Sequence, residues 1–290
     1  MKKPLIDRLF DRVAQRGHVC LGLDTAPSYL PENLQPGGGF AAEAVYDFNR
    51  FIIDSTHDVA AVYKVQIAYY EAMGTQGLRA YAKTLDYLRD NGAIVIADVK
   101  RGDIAKTAEM YAKAHFTGEF EADFITVNPF MGMDTLSPFF PYIKERDKGL
   151  FALVATSNPG ASDIEGIVSR DGTSVSELVG GMLVEQGKPF VGESGYSAIG
   201  AVVGCTNKQQ TQSIRRRMPG SFFLIPGYGA QGGTAADMAD YLRDGNGGVV
   251  NSSRGILLAY RGQAFGGMSF DKAARAECIR MRDEILACAK

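Results

Sequence analysis

The chain has 290 residues, 46% hydrophobic and 22% charged, with 31 Lys and Arg against 33 Asp and Glu, a formal net charge of −2. That length accommodates two ordinary domains or one (β/α)8 barrel, and either buries a core without disulfide staples. The near-neutral charge argues against a dedicated nucleic-acid or polybasic membrane binder, but a net total is silent about one local anion site.

The first segment, MKKPLIDRLFDRVAQ, has its apolar run broken by Asp7, Arg8, Asp11 and Arg12, and reads as an amphipathic helix over 4–16, not a signal peptide. A strand at 18–24 (HVCLGLD) leads past a loop at Gly37–Gly39 to a helix over 41–56, with Ala44, Val45, Phe48, Phe51 and Ile52 at helical spacing. A strand at 61–66 precedes a helix over 77–91, carried by Leu78, Tyr81, Leu85 and Leu88 and stopped at Asn91–Gly92. The strand at 94–100 is followed by a helix at 107–116, and strands at 124–128 and 150–156 come next. An inserted loop region runs from about 160 to 196, with glycines from Gly166 to Gly172 and a helical stretch at 174–186. A strand at 198–204, a helix at 206–217, a strand at 222–226, a helix at 234–244 and a strand at 248–251 complete the alternation.

Most strand runs are continuously apolar, as parallel strands covered on both faces are. Eight of them alternating with helices predict an α/β chain with residues 1–290 in a single (β/α)8 TIM barrel domain. An open doubly wound sheet is the alternative. No run reaches the ~18 apolar residues of a membrane span. Cys20, Cys205, Cys278 and Cys288 are scattered without a C-x-x-C pair, as in reduced, cytoplasmic proteins.

In a barrel, polar residues at the C-terminal strand ends form the active site. Here they are Asp24, Lys64, Gln66, Asp98, Lys100, Asn128, Ser157, the glycines from Gly227, and Arg254. The densest chemistry is Ile96-Ala97-Asp98-Val99-Lys100-Arg101-Gly102-Asp103-Ile104. Asp98 and Lys100, two apart on a strand, are expected on one face, where opposite charges offset each other's burial. Lys64 ends an apolar run on the neighbouring strand and Asp103 follows past the strand end, so a Lys–Asp–Lys–Asp constellation is expected. The plain alternative is a buried ion-pair network that only fixes the barrel, or a solvated loop.

The stretch Pro226-Gly227-Tyr228-Gly229-Ala230-Gln231-Gly232-Gly233-Thr234 follows a strand and precedes a helix. Glycines let backbone amides approach an anion, and a helix N-terminus favours one. Asn251-Ser252-Ser253-Arg254-Gly255 then closes the last strand with a guanidinium able to fork onto phosphate. The loop is not G-x-x-x-x-G-K-S/T, so nucleotide hydrolysis is not indicated. His18, His57 and His115 lie outside these motifs, and no metal set is evident.

Asp98-x-Lys100-x-x-Asp103-Ile104, with Thr107 four beyond Asp103, resembles the signature of the orotidine 5′-phosphate decarboxylase family. The segments Leu21-Gly22-Leu23-Asp24, Tyr63-Lys64-Val65, Thr156-Ser157-Asn158-Pro159-Gly160, Gln231-Gly232-Gly233 and Asn251-Ser252-Ser253-Arg254-Gly255 fall in that family's order, from about residue 18 to 256. The extra length and the Ala155–Gly160 context look most like its longer bacterial subgroup. Ala105 departs from the pattern, since many relatives carry Pro there.

The resemblance implies decarboxylation of orotidine 5′-monophosphate to UMP and CO2, the last step of de novo pyrimidine nucleotide synthesis, with no metal and no cofactor. Lys64, Asp98, Lys100 and Asp103 resemble the catalytic tetrad, with Lys100 as proton donor to C6. Asp103 and Thr107 resemble residues that enter the partner subunit's site, which implies a homodimer with shared active sites. Asp24 and Lys64 resemble ribose ligands, Ser157 the reader of the pyrimidine edge, and Gln231 and Arg254 the phosphate ligands. Gly232, Gly233 and Ser253 join them as substrate-binding residues, and Tyr228 ranks below them. Two rivals remain: a Mg-dependent sugar-phosphate decarboxylase or aldolase of the same barrel group, which has a carboxylate where Lys64 stands, and a catalytically silent nucleotide-binding barrel.

Overall fold

The computed structural model describes residues 3–35, 41–204, 208–229 and 233–289. Its strands are β1 (Val19–Gly22), β2 (Val62–Gln66), β3 (Val95–Arg101), β4 (Phe124–Val127), β5 (Gly149–Ala155), β6 (Ser197–Val203), β7 (Ser221–Ile225) and β8 (Gly248–Ser252). They close into a barrel in sequence order. Closure is made by β8 against β1 in parallel, with Val19↔Val250, Cys20↔Asn251 and Leu21↔Ser252 in register, so the open sheet is ruled out. β1, β4, β6 and β7 are buried along their whole length, whereas β2 and β3 open only at their last residues, Gln66, Lys100 and Arg101. Continuous apolar sequence therefore makes strands covered on both faces, and polarity appears where the C-terminal mouth begins.

Helices α1 (Leu5–Arg16), α2 (Ala41–Thr56), α3 (Ile67–Glu71), α4 (Gly74–Asp90), α5 (Ala105–Phe116), α6 (Phe140–Arg146), α7 (Val175–Gly187), α8 (Lys208–Arg217), α9 (Ala235–Ala239), α10 (Arg254–Leu257) and α11 (Phe270–Cys288) surround it. α2 turns Val45, Phe48 and Ile52 inward as expected, together with Ile53, but Phe51, expected on that face, is 40% exposed. The helix expected at 234–244 stops after Ala239, and the chain then turns through Arg243 and Asn246, whose backbones exchange hydrogen bonds of 2.8 and 3.0 Å. The loop at Gly37–Gly39 lies outside the described residues. α11 was not anticipated. It buries Ala274, Cys278, Met281 and Ile285 and packs on α2 and α9.

α1 covers the other end of the barrel. Arg12 donates to the Gly92 carbonyl, Arg16 to the His57 carbonyl, and the Leu5 N–H to Asp147. Buried Asp7 accepts the backbone N–H groups of Glu193 and Ser194 at 3.0 and 2.8 Å. All of these lie on loops that precede strands, so the N-terminal mouth is sealed and the C-terminal mouth left open.

Candidate active site

Two adjoining cavities of about 300 and 330 Å³ open at the C-terminal strand ends, and both are lined by Lys64, Asp98, Pro226 and Asn251. The first adds Lys100, Thr126 and Ser157, and the second adds Asp24, Ser253 and Arg254. Glycine makes this convergence possible. A Cβ at Gly22 would stand 1.9 Å from Ser253 Oγ, and one at Gly204 would stand 2.7 Å from the Ser157 nitrogen.

Four side chains, one just past β1 and the others on β2 and β3, form a line of alternating charge. Lys64 Nζ donates to Asp24 Oδ1 and to Asp98 Oδ2, each at 3.0 Å, and Lys100 Nζ donates to Asp98 Oδ1 at 2.6 Å. Gln66 Nε2 also reaches Asp98 Oδ2, at 2.8 Å, and Thr126 Oγ1 donates to Asp98 Oδ1 at 2.8 Å. Asp98 thereby accepts four hydrogen bonds, the full capacity of a carboxylate. Asp24 Oδ2 accepts from Ser253 Oγ at 2.9 Å.

Burial pushes the Asp98 carboxyl up, but the ammonium groups of Lys64 and Lys100 outweigh it and hold the group below its ordinary value. Burial pulls Lys64 down, and Asp24 and Asp98 reverse that, so it stays above its ordinary value. Lys64 and Asp98 are deep, while the Lys100 side chain is 47% exposed to the mouth. Lys100 is thus the charge free to meet a substrate atom.

Lys100 does not reach this position by regular strand alternation. The β3–β4 register shifts between Ala97 and Arg101, and Lys100 lies at φ 41, a left-handed conformation. Thr126 supports the bulge: its Oγ1 accepts the N–H groups of Val99 and Lys100, both at 2.9 Å. The same-face expectation for Asp98 and Lys100 therefore gives the right contact for an incomplete reason.

The fourth charge of the expected constellation stands apart. Asp103 Oδ1 accepts the Ile104 N–H at 2.8 Å, and Asp103 lines neither cavity. Thr107 is exposed on α5. Ala105 lies at φ 44, which a proline ring cannot adopt.

At the expected phosphate end, Gln231 and Gly232 lie outside the described residues. The Gly233 N–H is donated to the Gly227 carbonyl at 3.2 Å. The short α9 has a capping box in which Asp237 Oδ2 accepts the Thr234 N–H at 2.9 Å, so this helix start is already occupied by a carboxylate. Arg254 is exposed, lines the second cavity, and forms no ion pair among the described residues. The Tyr228 hydroxyl donates to Glu284 Oε2 of α11 at 2.6 Å and is committed to that helix.

Thr126 lines the site without having been singled out in the sequence, and Asn251, quoted there only within the motif that closes β8, lines both cavities. The one signal for Thr126 is a hydroxyl inside the otherwise apolar run Phe124-Ile125-Thr126-Val127. Asn251 sits between the cavities, its amide 3.4 Å from Ser253 Oγ and 3.6 Å from Cys20 Sγ.

The model of the orotidine 5′-phosphate decarboxylase / HUMPS family matches residues 17–264. Orotidine 5′-phosphate decarboxylase of Clostridium acetobutylicum is 58% identical over 281 residues, 97% of this chain and 98% of the relative. That of Clostridium kluyveri is 55% identical over 282 residues, 97% of each chain. The structure of Leishmania donovani OMP decarboxylase matches with a TM-score of 0.77 at 31% identity, over 99% of this chain and 98% of that one. Barrel, charged mouth and full-length similarity agree: the chain belongs to the orotidine 5′-phosphate decarboxylase / HUMPS family.

Proposed function

We propose that this carboxy-lyase converts orotidine 5′-monophosphate to UMP and CO2, by electrostatics alone, with Lys100 protonating C6. The observation that carries the reading is the line Asp24–Lys64–Asp98–Lys100 at the barrel mouth. Loss of CO2 leaves an electron pair at C6 with no conjugated sink in the ring. An ammonium held at that point stabilises the growing charge and then gives it a proton. The Asp98 carboxylate would face the departing carboxylate. Two like charges ~4 Å apart at an effective dielectric of ~20 repel by about 4 kcal/mol. A very large acceleration needs roughly 20 kcal/mol, so Lys100 and remote phosphate binding must supply most of it.

Lys64 supports a metal-free reading. Its ammonium lies 3.0 Å from both Asp24 and Asp98, so the cation between this carboxylate pair is supplied by the chain. Arg254 would grip the phosphate with the Gln231–Gly233 segment, Ser253 and Asp24 would hold the ribose end, and Ser157 would read the pyrimidine edge.

The working unit in this reading is a homodimer whose Asp103 and Thr107 complete the partner subunit's site. Neither residue lines its own cavities, and Ile104 and Met110, close by in the chain, are 59% and 57% exposed. Such apolar exposure favours self-association over an isolated chain. We place the enzyme in the cytoplasm with no nucleic-acid or membrane partner; no helix among the described residues is long and apolar enough to cross a membrane.

An ultraviolet assay of orotidine 5′-monophosphate loss with EDTA present tests the reading. Turnover should persist in EDTA and vanish in Lys100→Ala with the fold intact. Loss of activity in EDTA that Mg²⁺ restores would point to the metal-dependent sugar-phosphate class instead.

A further inference from the structure

Past β5 the chain leaves the barrel and rejoins it at α7. From 162 to 170 every residue is exposed except Glu165. Its main chain is held from α7: buried Ser176 donates to the Glu165 carbonyl from its N–H and its hydroxyl, each at 3.2 Å. Its side chain runs the other way, to the end of β5. Glu165 Oε2 accepts the Thr156 N–H at 2.8 Å, and Oε1 accepts the Thr156 hydroxyl at 2.7 Å.

These are charge-assisted bonds, and together they fix both the backbone and the χ1 of Thr156. The Thr156 hydroxyl has one proton, given to the carboxylate. The Asn158 amide, 2.7 Å from the same oxygen, must then present its NH2 group there. From the barrel side, Gly204 packs closely against the Thr156–Ser157 peptide. Ser157 therefore follows a residue that Glu165 holds, and its peptide lies against Gly204, just past β6.

We propose that Glu165 is the positioning residue for Ser157, so that the segment 159–173 sets how the site reads the pyrimidine ring. The proposal rests on the assignment of Ser157 to the pyrimidine edge. It makes the segment a specificity element, although none of its exposed side chains need touch the substrate.

The test compares UMP with ribose 5-phosphate, which lacks the base, by calorimetry on wild type, Glu165→Gln, Glu165→Ala and Thr156→Val, alongside kcat and KM for orotidine 5′-monophosphate. In the Glu165 variants the Kd for UMP should rise about tenfold or more, while that for ribose 5-phosphate moves by less than about twofold. Thr156→Val leaves the segment untouched and should shift UMP in the same direction; Thr156→Ser keeps both donors and should not. Parallel losses for the two ligands, or no loss for either, overturn the proposal. Wild-type protein that fails to turn over orotidine 5′-monophosphate overturns the functional reading instead, and the ligand comparison still decides the role of Glu165.

Discussion

Replacing Thr126 by valine keeps the side-chain volume and removes one oxygen that makes three hydrogen bonds. Two of them accept the N–H groups of Val99 and Lys100, and the third is donated to Asp98. The Val99 N–H is buried, so orphaning it costs about 1–3 kcal/mol. The Lys100 N–H is part-buried and finds water more easily, adding about 1 kcal/mol at most. Asp98 keeps three other donors, so loss of the third bond adds little. The total is about 3 kcal/mol, which for a chain of this size lowers the melting temperature by roughly 5 °C. The functional effect should be larger than the stability effect implies. Lys100 sits at φ 41 only because the bulge is supported, and relaxation there moves its ammonium. A displacement of about 1 Å at a reacting group lowers kcat by about 100-fold. Thermal melting, kcat and UMP binding together check this. kcat should fall far more than UMP affinity, because none of the groups assigned to ribose and phosphate bonds to Thr126 or stands on the β3 bulge. Thr126→Ser should restore both. Wild-type melting and turnover in Thr126→Val would refute the bulge as the device that aims Lys100.

Arg254→Ala should lower kcat/KM for the nucleotide by about 100-fold, as loss of a charge-assisted phosphate contact does, and leave the phosphate-free nucleoside unaffected; equal losses would remove Arg254 from the phosphate. Mixed dimers of Lys100→Ala and Asp103→Ala subunits should regain part of the activity, and confirmed heterodimers without rescue would count against shared sites. Asp98 is held below its ordinary 3.8 and Lys64 above its ordinary 10.5. The stabilisation from Asp98 is present above pH 3.8 and lost only as pH falls through its lower folded value; that from Lys64 is present below 10.5 and lost only as pH rises through its higher one. Neither group should therefore shape the kcat/KM profile between about pH 4 and 10. A limb near neutrality that disappears in Asp98→Asn would contradict this.

Family, barrel and most of the site were legible in the sequence because each had a local signature. Eight apolar runs at even spacing specify parallel strands, and their polar last residues mark the mouth. Asp98 and Lys100 could be paired from their spacing, and Lys64 joined to them by its place on the next strand. Two local expectations failed through local competition. The helix after the glycine loop ends at Ala239, and its N-terminus is filled by Asp237 instead of being left for an anion.

What remained hidden lies in contacts between residues remote in sequence. Asp24 meets Ser253 across 229 positions, and Thr126 meets Asp98 across 28. No periodicity encodes such pairs, because hydrophobic spacing reports which face of an element is buried and not which polar atom faces it from another strand. The sequence by itself determined the fold, the end of the barrel that carries the site and most of the charges that line it, Asp103 excepted. Only the tertiary structure decided that Lys64 bridges two carboxylates, that Lys100 stands on a bulge held by Thr126, and that Glu165 holds the end of β5, since the first two depend on which strands pair as neighbours and in what register, and the third on the loop after β5 folding back onto it.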